Sequence, residues 1–247
     1  MTIIPLSEGA FTIDATKEFV PFNKEQDDLQ QRPLGSLLVE IQPFLVVTQK
    51  DVILLDTGLG FTDASGVLQL HRNLLANGID PMKVTKVLLS HLHKDHAGGV
   101  VASKDAMQAP LLSFPHAQYY VNKQELSYTL GHQSLSYVPD VIRSLQNAPN
   151  VHLIEGTGQI DEYISYECTG AHSKYHQVFW IKEGNQVAFF GGDDAPQLQQ
   201  MKNRFVAKYD FDGKKTMQLR QLWREKGTAE QWNFLFYHDI KSPTFIF

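Results

Sequence analysis

Residues 90–99 read Ser90-His91-Leu92-His93-Lys94-Asp95-His96-Ala97-Gly98-Gly99. It places three imidazoles and a carboxylate within six residues, directly after the apolar run 84–89. That run is short, rich in Val and Leu, and ends in a polar turn, which predicts a buried strand. Neutral imidazole and carboxylate groups bind first-row metal ions, and two histidines separated by one residue can point toward the same ion. The stretch therefore predicts a metal site at the end of a strand.

The alternative is a polar surface loop whose histidines have no function. Only 10 of the 247 residues are histidine, so composition alone does not explain three of them in so short a segment. Gly98 and Gly99 fit the metal interpretation as well, because a residue without a side chain lets the backbone pass close to a crowded site.

Turn residues and hydrophobic periodicity divide the remainder of the chain into strands and helices. The predicted strands cover residues 3–6, 10–14, 36–47, 52–55, 84–89, 117–122, 151–154, 160–168, 176–182, 186–190 and 233–237. The predicted helices cover residue 67 to a stop at Gly78, 123–130, 136–147, 196–203 and 214–226. These patterns alone establish only a mixed α and β fold.

The segment 91–99, together with the upstream turn Asp56-Thr57-Gly58, resembles the metallo-β-lactamase superfamily. The signature of that family is His-x-His-x-Asp-His after a hydrophobic strand, with an Asp-Thr-Gly turn before it. His172, Asp193 and His238 follow in the order and spacing of the family's dinuclear hydrolases, particularly of its lactonase and organophosphate-hydrolase-like branch. The resemblance runs from about residue 37 to residue 238. It implies an α+β fold in one domain over 1–247, a four-layer αββα sandwich of two mixed sheets flanked by helices.

The same resemblance implies a site for two divalent metal ions, with zinc expected, and assigns seven ligands to it. The first ion takes His91, His93 and His172, the second takes Asp95, His96 and His238, and Asp193 bridges the two. Asp95 is also the candidate catalytic proton carrier.

Three assignments have competitors or alternatives. His176 competes with His172, and Asp194 competes with Asp193. The family order favours His172 as ligand, with His176 in a supporting position, and it favours Asp193 because that residue directly follows a glycine. Asp56 is expected to accept a hydrogen bond from a ligand histidine. It could equally cap its own turn.

The resemblance implies hydrolysis by a metal-bridging hydroxide, with a lactone or neutral ester as substrate. A thioesterase or a phosphotriesterase could use the same site. An iron-dependent oxidoreductase is a further alternative, although the di-iron relatives carry glutamate where this chain has His93. Quorum-signal lactonases commonly place a tyrosine three residues after the bridging aspartate, whereas this chain has Pro196 there.

Residues 17–34 form a long polar stretch with an apolar cluster at its start. Such loops are often functional, and we predict that Phe19 and Phe22 line the substrate pocket. The alternative is a surface loop held in place by its own aromatic side chains.

Composition limits the partners. The net charge of −5 and a pI near 6.0 provide no basic surface, so nucleic acid is not an expected partner. Cys168 is the only cysteine, which excludes an intrachain disulfide. The short apolar group at residues 3–6 predicts neither a signal peptide nor a membrane span. A small-molecule substrate and a cytoplasmic location are therefore expected, no membrane partner is, and a homodimer stays open.

Overall fold

The computed structural model describes residues 1–102 and 111–247. Its strands are β1 (Thr2–Pro5), β2 (Gly9–Ile13), β3 (Val20–Pro21), β4 (Leu37–Ile41), β5 (Phe44–Val47), β6 (Val52–Leu55), β7 (Lys86–Leu88), β8 (Gln118–Asn122), β9 (Val151–Ile154), β10 (Thr157–Ile160), β11 (Ile164–Cys168), β12 (Gln177–Glu183), β13 (Gln186–Phe190), β14 (Asn233–Leu235) and β15 (Thr244–Phe245). Its α-helices are α1 (Gln69–Ala76), α2 (Lys94–Ala97), α3 (Lys123–Gly131), α4 (Pro139–Ile142), α5 (Leu198–Lys202) and α6 (Gly213–Ala229). Short 3-10 helices cover Leu29–Gln31, Pro81–Lys83, Arg143–Leu145 and Gly192–Asp194.

The described strands form two six-stranded sheets and one small sheet. The first sheet has the order β1-β5-β6-β7-β8-β9, and the second has the order β10-β11-β12-β13-β14-β15. Both are mixed, because β6 to β9 run parallel in the first and β13 and β14 run parallel in the second, while the other pairs are antiparallel. The small sheet β3-β2-β4 is antiparallel and was not predicted.

Alternation along the strands sends apolar side chains to both faces of each sheet, which creates a layered core. In β6, Leu54 joins the cluster that packs the first sheet against α1, α3 and α4, whereas Ile53 and Leu55 join the cluster between the two sheets. In β13, Phe190 belongs to that same intersheet cluster, whereas Phe189 packs toward α5 and α6. The three clusters that the described residues form are thus the three interfaces of a four-layer αββα sandwich, as predicted.

Two segments that were each predicted as one continuous strand are interrupted in the structure. The predicted strand 160–168 is two strands, because Asp161 adopts a left-handed φ of +54° and turns the chain between β10 and β11. The predicted strand 36–47 is interrupted between β4 and β5 by Pro43, which cannot donate a ladder hydrogen bond. The predicted helix 136–147 is also shorter, since Pro139 sets the first turn of α4 and a 3-10 turn ends it.

The parallel pairs decide where functional side chains can gather. The carboxyl ends of β6 and β7 lie side by side, and Asp56 N donates to Leu88 O at 3.0 Å. A main-chain bond of 2.9 Å from Gln177 N to Ser90 O ties this end of the first sheet to the second. Loops from both sheets therefore converge at one end of the sandwich. Over 1–102 and 111–247, no helix is both long enough and apolar enough to cross a membrane.

Candidate metal centre

Each predicted ligand lies just beyond a strand end at the converging edge. His91, His93, Asp95 and His96 follow β7, with Asp95 and His96 on the short helix α2. His172 lies in the loop between β11 and β12, Asp193 follows β13, and His238 follows β14. In the part of the chain that the structure describes, these side chains form two groups of potential metal donors, one of His91, His93, His172 and Asp193 and one of Asp95, His96 and His238.

The first group has the spacing of a metal coordination shell. His93 Nδ1 lies 2.8 Å from His91 Nε2 and 3.3 Å from His172 Nε2. Asp193 Oδ2 lies 3.1 Å from His172 Nε2 and 4.0 Å from His91 Nε2. Ligands about 2.1 Å from a tetrahedral ion are separated by about 3.4 Å, and the observed distances bracket this value. These four side chains fit one ion.

The second group meets the first at Asp193. Asp193 Oδ1 lies 2.9 Å from His238 Nε2 and 3.1 Å from His96 Nε2. Asp95 Oδ2 lies 3.5 Å and 3.6 Å from the same two nitrogens. Because one oxygen of Asp193 faces each group, this carboxylate has the geometry of a bridge between two ions.

The electrostatics of the site suit a cation. Burial, followed by repulsion from neighbouring histidines, lowers the pKa values of His91 and His93 well below their usual range, so both imidazoles are neutral and offer a lone pair. Burial opposes the charge of Asp193, but His238, His96 and His172 together hold its pKa well below the usual range. Within the described residues, His96 Nε2 and Asp193 Oδ1 are buried without a well-directed hydrogen bond. The neutral imidazoles of His91 and His93 beside an ionised Asp193 are donors that suit a divalent ion.

Asp56 supports the second group and the start of the segment that carries the first. Its Oδ2 accepts from His96 Nδ1 and from Ser90 Oγ, each at 2.7 Å, and its Oδ1 accepts from Ser90 N at 2.7 Å. Ser90 Oγ also contacts His91 Nδ1 at 3.0 Å. Asp56 has a left-handed φ of +58°, a strained conformation that such a set of contacts can maintain. In the described structure the carboxylate of Asp56 therefore accepts from Ser90 and His96 rather than from its own turn.

Two more of the candidate ligand histidines are oriented by buried acceptors. His238 Nδ1 lies 2.7 Å from Glu40 O, and His172 Nδ1 lies 2.9 Å from Asp210 Oδ1. A histidine that donates its Nδ1 proton in this way keeps a lone pair on Nε2, which is the atom that faces the donor group. Each acceptor thus fixes both the tautomer and the ring plane.

The structure separates the competing residues. His176 accepts from Asp193 N through Nε2 at 3.1 Å, and its Nδ1 lies 3.0 Å from Asp194 Oδ2, so both ring nitrogens are engaged by the chain. Asp194 in turn accepts from His172 N at 2.7 Å and from Thr169 Oγ1. His176 and Asp194 hold the backbone of their neighbours, while His172 and Asp193 face the donor groups.

Glycines bring the two turns of the first sheet into contact. A Cβ on Gly99 would lie 2.2 Å from Thr57 O, and one on Gly98 would lie 2.3 Å from Leu59 O. No side chain can be accommodated at such distances without moving the backbone. This close approach is the one expected for the Gly-Gly pair.

The two aromatic residues predicted to line the pocket differ in position. Phe22 is buried, with 9% of its surface exposed, and its main-chain N–H donates to Ala10 O. Phe19 is half-buried and meets Phe11 edge-on, and Lys94 Nζ lies 5.9 Å from its ring centre. Because Lys94 directly precedes Asp95, Phe19 is the one that lies close to the metal-binding segment.

Sequence reasoning missed Asp210 and Arg220. Asp210 follows Tyr209 in an irregular segment that carries no motif. Arg220 lies on α6 and is only 1% exposed. The buried residues of that helix are Thr216, Arg220, Trp223 and Gly227. An arginine on the buried face of a helix was therefore the sequence signal that could have identified Arg220.

Comparison with known proteins agrees with this arrangement. The family model described as "Metallo-beta-lactamase superfamily" matches residues 40–193, more than half of the chain. Over 57 residues, or 23% of this chain, the sequence is 47% identical to the lactamase-like protein adaB of Aspergillus niger. That match spans 16% of the relative's length.

Several solved structures have a similar fold. A probable metal-dependent hydrolase from Staphylococcus aureus has a TM-score of 0.77 at 20% identity, over 99% of this chain and 91% of that one. AidC, a dizinc quorum-quenching lactonase in complex with a product, has a TM-score of 0.74 at 18% identity, over 99% and 89%. The hydrolase AbOPH of the beta lactamase superfamily has a TM-score of 0.72 at 22% identity, over 98% and 88%. At these identities the likeness shows the fold.

Proposed function

Because the chain belongs to the metallo-β-lactamase superfamily, we propose that it is a dinuclear metal-dependent hydrolase that cleaves lactones or neutral esters. The observation that carries the proposal is the bridging geometry of Asp193, whose two oxygens face two separate groups of donors. A structural metal site needs one closed shell, whereas two adjacent groups with open positions are typical of catalysis. Two divalent ions held there would lower the pKa of a water molecule and polarise a carbonyl oxygen.

We propose zinc as the metal in both positions. Five histidines and two aspartates provide nitrogen and oxygen donors without thiolate, a set that zinc accepts readily. Elemental analysis of protein dialysed after expression with zinc should find about two ions per chain. A value near zero would contradict the proposal.

Asp95 is the proposed proton carrier. Its carboxylate lies between His96 and His238, at 3.6 and 3.5 Å, and its side chain keeps 13% of its surface exposed. Tyr237 holds the main chain at this point, because its hydroxyl donates to Asp95 O at 2.6 Å. A carboxylate that is fixed and still open to the site can pass a proton to a departing alkoxide.

Tyr209 is the proposed contact to the substrate carbonyl. Its ring centre lies 6.0 Å from that of His172, and Gln200 Nε2 donates to its hydroxyl at 3.2 Å. Burial raises its pKa to about 12, so the hydroxyl stays protonated at neutral pH. Among the described residues this hydroxyl has no acceptor for its own hydrogen, which leaves that hydrogen available to a ligand. Tyr209 thereby offers, from another part of the chain, the hydroxyl that Pro196 cannot supply.

The choice of a neutral ester rests on the surroundings of the site and on its relatives. Tyr209 places aromatic surface beside His172, and Phe19 places it beside Lys94. AidC is named as a lactonase, and its likeness to this chain supports the lactone. Two observations favour a second candidate, an anionic thioester: Lys94 lies against Phe19, and the charge of Lys17 acts on His93.

A substrate panel distinguishes the two candidates. Metal-loaded protein should show its highest kcat/KM on neutral acyl lactones, followed by simple esters. A preference for anionic thioesters that disappears at high salt would replace the lactone with the second candidate, since salt screens the attraction of partly exposed lysines for an anion. Much faster hydrolysis of phosphotriesters than of any lactone would contradict the substrate proposal and leave the metal site unaffected.

A further inference from the structure

A buried arginine lies directly behind the metal centre. Arg220 projects from the middle of α6 and is 1% exposed. Burial lowers the pKa of its guanidinium, while the nearby Asp210 acts to raise it. Burying a charge is unfavourable unless the charge is paired and hydrogen-bonded, and hydrophobic residues often replace such pairs without loss of stability. The presence of this arginine therefore calls for a role beyond packing α6 onto the sheet.

Arg220 contacts the two segments that flank the first donor group. Its Nε donates to Asp194 O at 2.6 Å, on the turn that carries Asp193. One terminal nitrogen lies 3.6 Å from Asp210 Oδ2, and the other donates to Phe205 O at 3.3 Å. A single side chain thus joins the turn after β13 to the segment 205–210.

Both segments contact His172. Asp210 uses its other oxygen, Oδ1, to accept from His172 Nδ1 at 2.9 Å, and its side chain is fully buried. Asp194 Oδ1 accepts from His172 N at 2.7 Å. The main chain adds a bond from Phe211 N to His172 O at 2.9 Å. Arg220 therefore contacts both residues that orient this histidine: it pairs with Asp210, which accepts from the ring, and it bonds the main chain of Asp194, whose carboxylate accepts from the backbone.

The second donor group has separate support. His96 is oriented by Asp56, and His238 is oriented by Glu40 O. Neither acceptor contacts Arg220 in the described structure. The two metal positions share Asp193 but differ in what orients their histidines.

We propose that Arg220 is a positioning residue that sets the affinity of the first metal position, made by His91, His93 and His172, and that it acts through Asp210 and Asp194. This inference rests on the metal positions proposed above, but it makes no use of the substrate. A loose Asp210 or a displaced Asp194 would leave His172 free to rotate or to change tautomer. Loss of an orienting group typically weakens metal binding about 10–100-fold.

The experiment measures zinc affinity in metal-free full-length protein by competition with a chelator of known affinity. Two parent variants isolate the positions: His238→Ala weakens the second, and His172→Ala weakens the first. Arg220→Met is then added to each parent. We expect affinity to fall about 10–100-fold in the His238→Ala parent and to change less than about threefold in the His172→Ala parent.

A matched control comes from the same helix. Arg224 lies one turn beyond Arg220, is exposed, and donates to Lys202 O at 3.2 Å. Arg224→Met should leave both affinities unchanged. If Arg220→Met does not fold, Arg220→Lys provides the comparison, because it keeps a charge near Asp210 but cannot reach Asp194 O and Phe205 O at the same time.

The pair of Arg220 and Asp210 gives a second test. Asp210→Asn keeps an acceptor near His172 and removes the buried charge that Arg220→Met would leave unpaired, so the double variant should bind zinc better than the sum of the single effects predicts. Equal loss at both positions, or unchanged affinity with lower stability alone, would overturn the proposal. Wild-type protein that binds no zinc would instead contradict the proposed metal centre.

Discussion

Replacing His172 by alanine should mainly weaken metal binding, whereas replacing His176 by alanine should mainly lower stability. His172 Nε2 faces His93 Nδ1 at 3.3 Å and Asp193 Oδ2 at 3.1 Å, so it has the position of a ligand. His176 has both ring nitrogens engaged by the chain, on Asp193 N and on Asp194 Oδ2. The two histidines are both buried and are four residues apart, but the two substitutions should have different effects.

The magnitudes follow from these contacts. His176→Ala leaves the buried Asp193 N–H unpaired and removes one partner of a buried carboxylate, which should lower the free energy of unfolding by about 2–4 kcal/mol. His172→Ala removes one hydrogen bond from Asp210, but Asp210 keeps its ion pair with Arg220. The free energy of unfolding of the metal-free protein should therefore fall by only about 1–2 kcal/mol. Turnover should be nearly abolished in His172→Ala, with loss of one ion, and should fall about 10–100-fold in His176→Ala, with both ions retained.

The assay combines elemental analysis, denaturant unfolding of metal-free protein, and kcat/KM on a lactone. His116→Ala serves as the control, because His116 is exposed and lies away from the ligand segments in sequence. The assignment would be refuted if His176→Ala lost an ion while His172→Ala kept both. Equal loss of stability in the two variants would refute the division of roles even if the metal results agreed.

Other variants test the substrate contacts and a distant ion pair. Tyr209→Phe should lower kcat/KM for lactones about 10–100-fold at unchanged metal content, as expected for a lost hydrogen bond to a developing charge; an unchanged kcat/KM would remove Tyr209 from the mechanism. Phe19→Ala should raise KM for long-chain lactones more than for short ones in a kinetic series. Phe22→Ala, at a buried position, should lower the free energy of unfolding by about 3–5 kcal/mol in a denaturant titration and leave the chain-length preference unchanged. Burial raises the pKa of Asp51, but hydrogen bonds from Lys86 and from two neighbouring hydroxyls outweigh burial and lower that pKa below 3.8. The stability that the Asp51–Lys86 pair contributes is therefore present above pH 3.8. It is lost as the pH falls through the pKa of Asp51 in the folded protein. Asp51→Asn should therefore flatten the acid limb of the stability curve, and an unchanged limb would count against the pair.

The parts of the fold that were predictable are those with local signals. Strands 52–55, 151–154 and 186–190 were placed correctly because turn residues bound each apolar run. The break at Asp161 was not predictable, since its left-handed backbone carries no glycine to mark it. The β15 strand was also missed. It is only two residues long and exists through its pairing with β14.

The site shows the same division. His91, His93, Asp95 and His96 are close in sequence, so their chemistry was visible from residue types and spacing alone. His172, Asp193 and His238 could be identified only through the resemblance to a family. Asp210 and Arg220 act across long stretches of chain and belong to no motif, so only the structure could bring them to His172.

The donors come from both sheets, and each ion position would therefore join the two halves of the sandwich. His91 and His96 follow a strand of the first sheet, whereas Asp193 and His238 follow strands of the second. Metal bound at this seam acts as a reversible crosslink that only the folded chain can form. Free zinc at 100 times its dissociation constant would add about 2.7 kcal/mol to the folded state, and at 1,000 times about 4.1 kcal/mol. The melting temperature of this protein should accordingly report the zinc supply of its surroundings.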